Sequence, residues 1–198
     1  SYALKTYHHD YICFDACLMA DVQTYYELKD VCDYIVGSPA EIIDTGFPYD
    51  KLLSVIMPYK GRENLIALCD AYYNKYNAMA GYNKSATISL VSTQFLIPLA
   101  MAFGELVAHT SVDPETVDRE SLQTYDRLRE HVFFDIERMA RELGDDTRYN
   151  KSTEHFITIP INHFSGLAAY LPTERLPRIQ SGFRNTSWNR IIGGWVSE

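Results

Sequence analysis

The chain has 198 residues, 46% of them hydrophobic, and its 26 acidic and 18 basic side chains give a formal charge of −8. A chain of this size and composition can bury one substantial core without disulfides or metals. No basic stripe interrupts the acidic charge, so no nucleic-acid partner is expected. The longest apolar run, residues 95–103, is far shorter than the roughly 20 residues that cross a bilayer, so no membrane span is expected.

Short apolar segments alternate with helical patterns in the first half of the chain. Buried strands are predicted at residues 10–15, 33–37 and 86–91. Helices are predicted at residues 19–32, 49–57 and 61–78, and from Ser92 or Thr93 to about His109. This alternation favours an α/β fold with a mostly parallel sheet, flanked by helices on both faces.

The second half is richer in charge and less regular. In residues 111–154 the apolar positions recur at helical spacing, which predicts surface helices that end at Gly144. A last strand is predicted at residues 166–171 and is closed by Pro172. Beyond it, Gly193-Gly194 predicts a turn between Trp188 and Trp195.

The four cysteines, at positions 13, 17, 32 and 69, lack the paired spacings of a zinc site and the density of a disulfide scaffold. Four free thiols are therefore expected. Cys13, Cys32 and Cys69 lie among apolar residues, and we interpret them as small packed hydrophobes.

Cys17 differs because it lies between a predicted strand and a predicted helix. Backbone N–H groups and the positive end of a helix dipole at such a corner favour a thiolate and can hold an oxyanion. A phosphatase loop would need an arginine where Gln23 stands, and a redox pair would need Cys-x-x-Cys, whereas Cys13 and Cys17 are four apart. A catalytic nucleophile and a packed thiol remain as interpretations of Cys17.

A thiol peptidase also needs a general base, and the chain has six histidines. His8 and His9 would lie roughly 25 Å from Cys17 along an extended strand, too far for a dyad. His109 and His131 fall in predicted helices, where a surface or core imidazole is the expected role. His155 and His163 flank an apolar segment and cannot be placed near Cys17 from the sequence. No histidine of the chain can therefore be assigned as the base from the sequence, and something that the dyad needs is missing.

The corner sequence at residues 11–20, Tyr-Ile-Cys-Phe-Asp-Ala-Cys-Leu-Met-Ala, resembles the clostripain family of cysteine peptidases. The segments at residues 26–28, 33–35, 38–42 and 46–49 follow in the family's order and spacing. Looser similarity continues at residues 86–89, 134–136 and 166–172, so the resemblance spans nearly the whole chain.

The resemblance implies a caspase-like α/β fold in which a Cys-His dyad cleaves peptide bonds after Arg or Lys. Cys17 would be the nucleophile, and its N–H would help to hold the oxyanion. Members of the family resemble bacterial zymogens, precursors that cleave themselves between the catalytic histidine and the cysteine into a light and a heavy chain. Residues 1–198 would then form the single-domain heavy-chain portion, with an upstream light chain as the partner that carries the histidine.

The resemblance also implies secretion or a cell-envelope location. No cofactor is expected; some relatives resemble calcium-dependent enzymes, but no acidic loop here has EF-hand spacing, so calcium binding stays open.

Two carboxylates are candidates for binding the basic side chain of the substrate. Asp15 lies two residues before Cys17, on the same side of an extended segment, and the family pattern places its specificity acid there. Asp44, in the loop after the second strand, resembles an acidic loop residue of the family, and a turn residue that caps its own backbone is the equal alternative.

Two other functions stay open. The chain could be a catalytically silent binding module or subunit of the same fold, since no base can be placed in it. The thiol could also serve another acyl transfer, such as transpeptidation, which the corner alone does not exclude.

Overall fold

The computed structural model describes residues 2–126, 130–142, 153–157 and 163–196. Six strands lie within these ranges: β1 His9–Cys13, β2 Cys32–Gly37, β3 Thr87–Ser92, β4 Phe133–Asp135, β5 Thr153–Ile157 and β6 Ala168–Tyr170. The helices there are α1 Val22–Leu28, α2 Tyr49–Ile56, α3 Arg62–Asn77, α4 Leu96–His109, α5 Ile136–Glu142, α6 Pro177–Arg184 and α7 Ser187–Ile191. The α/β class is confirmed.

Most of the predicted elements are confirmed to within a few residues. These are the strands predicted at 10–15, 33–37, 86–91 and 166–171 and the helices predicted at 49–57, 61–78 and 92–109. The turn at Gly193-Gly194 is also present, with both residues at positive φ. No helix in the described ranges is long and apolar enough to cross a membrane.

The main sheet has the strand order β1-β2-β3-β5. β1 and β2 are parallel, β2 and β3 antiparallel, and β3 and β5 antiparallel. The sheet is therefore mixed, and the expected parallel pairing holds only for β1 and β2. The reason is that two helices, α2 and α3, connect β2 to β3. The second helix reverses the chain once more, so β3 enters the sheet opposite in direction to β2.

Successive side chains of the strands point into two separate cores. Ile35 and Val91 pack against residues of α1, α4 and α7, whereas Val36 and Leu90 pack against residues of α2 and α3. The first core centres on the fully buried Trp188 of α7. Helices therefore cover both faces of the sheet, as the sequence predicts.

The helix predicted at residues 19–32 is shorter than expected. It begins at Val22, where the Asp21 side chain accepts a hydrogen bond from Thr24 N at 2.9 Å, and it ends at Leu28. Val31 N–H then donates to Leu28 O, and Cys32 already belongs to β2. A side-chain cap at Asp21 satisfies the first turn and fixes where the helix starts.

The surface helices predicted across residues 111–154 are mostly wrong. Among the described residues of this segment, α5 is the only α-helix, and β4 pairs with β6 in a second, two-stranded sheet. The apolar side chains that suggested a helix, such as Leu122 and Tyr125, are buried from an irregular, non-helical segment instead. The expected helix end at Gly144 lies outside the described residues.

The Asp135 carboxyl group holds this second sheet together. It is fully buried and accepts hydrogen bonds from the Tyr125 hydroxyl and from both the N–H and the hydroxyl of Ser165, the latter two at 2.7 Å. Its other oxygen accepts from the N–H groups of Glu137 and Arg138 at 3.0 Å, which caps α5. One side chain thus joins β4, α5 and the segment that leads into β6.

Replacing Asp135 should therefore destabilise the fold. Asp135→Ala leaves several buried donors without their acceptor, and we expect it to lower the free energy of unfolding by about 3 kcal/mol. Urea unfolding measured by tryptophan fluorescence checks this. The control is Asp70→Ala on the exposed side of α3, which should change it by less than about 0.5 kcal/mol. Equal stability of the two variants would contradict the role given to Asp135.

Candidate active site

The chain folds back on itself directly after β1. Residues 15–17 form the exposed tip of this turn. Past the tip, Leu18 N–H donates to Ala40 O at 3.0 Å and Ala20 N–H donates to Ser38 O at 3.1 Å. Residues 18–20 therefore run antiparallel to the segment that follows β2, and Cys17 is held at the end of the sheet.

Leu18 makes this reversal possible. Its φ is +61°, in the left-handed region that residues other than glycine rarely adopt. The conformation costs about 1 kcal/mol, which the backbone hydrogen bonds on either side offset. A strained residue directly after an exposed cysteine is typical of a functional corner.

The sulfur of Cys17 contacts the backbone of Ile42. Ile42 N–H donates to Sγ at 3.3 Å, and Sγ lies 3.6 Å from Ile42 O. The expected helix N-terminus at Cys17 is wrong, because α1 begins only at Val22 and is capped by Asp21. The donor to the sulfur comes from the loop after β2, since residues 18–20 pair with that loop before the helix begins.

The backbone N–H of Cys17 is available to a ligand. In the described part of the chain it donates to no acceptor, although its neighbour Leu18 does. A free N–H beside the sulfur is the arrangement that a developing oxyanion needs.

The other three cysteines are chemically protected. All four thiols are free, as expected; Cys32 and Cys69 are buried, and Cys13 is half-buried. Burial raises the pKa of Cys13 to about 12, with a further contribution from the charge of Asp15. Burial likewise raises the pKa of Cys32 to about 11, and it raises that of Cys69 further still. Only Cys17 is exposed.

Asp15 is joined to the loop before α2. Its Oδ2 accepts a hydrogen bond from the Tyr49 hydroxyl at 2.7 Å and one from Phe47 N–H at 3.3 Å. A Cβ atom at Gly46, where φ is +52°, would lie 2.6 Å from the same oxygen. Only glycine allows the loop to approach Asp15 this closely.

Helix α3 holds this loop from the other side. Lys75 Nζ donates to Thr45 O at 2.9 Å and to Gly46 O at 2.7 Å, and the Tyr76 hydroxyl donates to Gly46 O at 2.8 Å. The loop therefore has a fixed position beside Cys17 and Asp15.

Asp44, the second candidate acid, lies in the same loop and is exposed. Both Asp15 and Asp44 add to the increase in the pKa of Tyr76 that burial causes. The charges of both carboxyl groups therefore act on the same hydroxyl.

None of the described histidine rings contacts Cys17. His8 binds Asp33 at the amino end of β1, far from the tip, and His131 precedes β4 rather than lying in a helix as predicted. The side chain of His155 lies outside the described part of the chain. The described ring contacts are His8 with Asp33 at 3.0 Å, His109 with Glu105 O at 2.7 Å, His131 with Asp126 at 2.6 Å and with Thr124 at 3.2 Å, and His163 with Asp135 and Glu137 at 3.2 Å each.

Two residues of the site were missed in the sequence. Ile42 and Tyr49 both belong to segments that resemble the family, but nothing in their local pattern indicates contact with residues 15–17. They approach the corner because the loop after β2 folds over it, which is a long-range effect.

The cysteines should differ sharply in reactivity. At pH 8 we expect iodoacetamide to alkylate Cys17 alone in the folded protein, because burial and raised pKa values keep the other three as inaccessible thiols. Peptide mass spectrometry counts the modified sites, and 6 M guanidinium should expose all four. Rapid labelling of Cys13, Cys32 or Cys69 without denaturant would contradict this description.

A model of the clostripain family matches residues 1–174. No curated protein matches the chain. Among solved structures, the chain is similar to an inactive zymogen of a C11 protease from Parabacteroides distasonis, with 26% identity and a TM-score of 0.85. The similarity covers 96% of this chain and 60% of the zymogen, so the chain spans about three fifths of that relative.

Two structures from Bacteroides thetaiotaomicron are also similar at 25% identity. One is a clostripain in complex with a peptide inhibitor, covering 96% of this chain and 90% of that one, with a TM-score of 0.81. The other is a secreted C11 cysteine protease, covering 94% of this chain and 56% of that one, with a TM-score of 0.80. With the family match over most of its length, the chain belongs to the clostripain family and has that family's caspase-like α/β fold.

Proposed function

We propose that the chain is the nucleophile-bearing part of a cysteine endopeptidase that cleaves after Arg or Lys. The observation that carries this is the corner itself, where Cys17 is the one exposed thiol and the Asp15 carboxyl group lies two residues away. Residues 1–198 would be a single peptidase-domain portion of the mature enzyme.

The chemistry follows from the position of Cys17. Its thiolate attacks the carbonyl carbon after the basic residue and forms a C–S bond, while the Cys17 N–H holds the oxyanion. The intermediate then collapses and breaks the C–N bond as a histidine protonates the leaving amine. Water attacks the thioester, releases the acid and restores the thiol.

A companion polypeptide would supply that histidine. Supporting this, β1 is an edge strand whose outer side has no strand neighbour within the described ranges. An open edge exposes unpaired backbone groups, and natural proteins cover such edges. A companion strand paired with β1 would end beside Cys17, where a dyad base is needed.

Helix α2 supports the same arrangement. It runs beside β1, because Tyr49 binds Asp15 near one end and Tyr59, just past its other end, packs on Tyr11 with ring centroids 5.0 Å apart. Tyr49 and Leu53 of α2, and Met57 directly after it, are 58%, 58% and 68% exposed. This apolar stripe next to an open strand edge fits a partner that covers both.

Basic specificity rests on charge. Asp15, together with Asp44, would attract a cationic side chain into the space beside Cys17. The clostripain from Bacteroides thetaiotaomicron was crystallised with the inhibitor BTN-VLTK-AOMK, whose peptide ends in lysine. A similar peptide, with Lys or Arg before the scissile bond, would be the substrate here.

We also propose that the protein is secreted. One similar structure from Bacteroides thetaiotaomicron is described as a secreted protease, and secretion of this chain is proposed by analogy with it.

The experiment uses the enzyme matured from its full-length precursor. Electrophilic peptide probes that differ only in a terminal Lys, Arg or Asp are added, and intact and peptide mass spectrometry follow. We expect the basic probes alone to modify Cys17 and a second polypeptide to copurify. Asp15→Asn should slow labelling by both basic probes about 10- to 100-fold.

A small neutral thiol reagent provides the control, since it should still alkylate Cys17 in the Asp15→Asn variant. If no probe modifies Cys17 in the folded, reduced protein, the peptidase proposal fails. The silent binding module then becomes the better account, because no described histidine reaches Cys17.

A further inference from the structure

The two oxygens of the Asp15 carboxyl group are not equivalent. Oδ2 accepts hydrogen bonds from the Tyr49 hydroxyl and from Phe47 N–H, and the Gly46 backbone closes the space beside it. In the described part of the chain, Oδ1 accepts no hydrogen bond. A ligand that approaches Asp15 therefore meets one free oxygen.

This asymmetry should affect the binding of arginine and lysine to Asp15 differently. Arginine binds a carboxylate most strongly as a planar fork, with two parallel N–H donors on two acceptor oxygens. Lysine is a compact point charge whose ammonium group needs one such oxygen, with its other donors left for water or carbonyl groups. A carboxylate whose second oxygen already accepts hydrogen bonds keeps its charge, but it can no longer bind both N–H donors of an arginine.

We infer that Tyr49 makes the Asp15 carboxylate select lysine over arginine as the residue before the scissile bond. The inference rests on the proposed peptidase function and narrows its substrate class. Tyr49 acts as a positioning residue, because it orients Asp15 and occupies Oδ2 without touching the reacting atoms.

The arrangement is fixed on both sides. Lys75 and Tyr76 hold the carbonyl of Gly46, so the loop that carries Phe47 and leads into Tyr49 of α2 does not withdraw from Asp15 without breaking these bonds. The hydrogen bond to Asp15 raises the pKa of Tyr49 to about 12. The hydroxyl therefore keeps its proton at neutral pH and stays a donor.

Paired fluorogenic peptides that differ only in Lys or Arg before the scissile bond test the inference on the matured enzyme. We expect the wild type to show a kcat/KM ratio of about 10 in favour of Lys, the scale of one charge-assisted hydrogen bond. Tyr49→Phe removes the shorter of the two hydrogen bonds to Oδ2 and leaves only the 3.3 Å bond from Phe47 N–H. It should lower this ratio about 10-fold, with the gain for the Arg peptide appearing mainly in KM.

The matched control is Tyr7→Phe. Tyr7 is 75% exposed and precedes β1, so removing its hydroxyl should leave the ratio unchanged. A second measurement needs no variant: butylamine should inhibit wild-type cleavage of the Lys peptide at lower concentration than propylguanidine, because the amine needs only Oδ1.

The outcomes separate this inference from the proposal on which it rests. An active wild type that prefers the Arg peptide or the guanidine, or a folded Tyr49→Phe variant with an unchanged ratio, overturns the lysine inference and leaves the peptidase intact. Cleavage of neither peptide, with Cys17 unlabelled by basic probes, overturns both.

Discussion

The parallel pairing of β1 with β2 is the constraint on which the rest of the site depends. It brings the carboxyl ends of both strands to the same end of the sheet, where Phe14 N–H still donates to Val36 O at 2.9 Å. Past this point the two segments diverge: the one after β1 turns back at Cys17, while the one after β2 continues to Ile42. Cys17 and the backbone donor to its sulfur are 25 residues apart in the sequence, and they meet because the pairing places their strands side by side.

The segment after β2 is more densely packed than the exposed turn at residues 15–17. Ser38 is fully buried, and its hydroxyl bonds the Thr87 hydroxyl of β3 at 2.7 Å and Ala40 O at 3.0 Å. At Gly37 a Cβ atom would lie 2.7 Å from the Tyr25 hydroxyl. This dense packing holds the segment in place. The hydrogen bonds that residues 18–20 make to Ser38 and Ala40 therefore offset the conformational cost of the left-handed turn at Leu18.

The sequence was informative where local pattern decides structure. Apolar runs located β1, β2 and β3, and the position of Cys17 beyond a strand indicated the exposed thiol. It was misleading where distant contacts decide. The helical spacing of Leu122 and Tyr125 reflects burial and not a helix. The direction of β3, by contrast, follows from the two helices before it, and both of those helices are predicted from the sequence. Nothing local shows that Tyr49 reaches Asp15 across 34 residues.

Tyr49 connects the two halves of the proposed enzyme. Its hydroxyl donates to Asp15, the proposed specificity acid, while its ring begins the exposed stripe of α2 that continues through Leu53. If a companion chain covers that stripe and the open edge of β1, its arrival excludes water from the same tyrosine that orients the acid. A hydrogen bond to a carboxylate strengthens as water is excluded. Assembly would then complete the dyad and sharpen the choice of substrate in one step, because both depend on the same edge of the sheet.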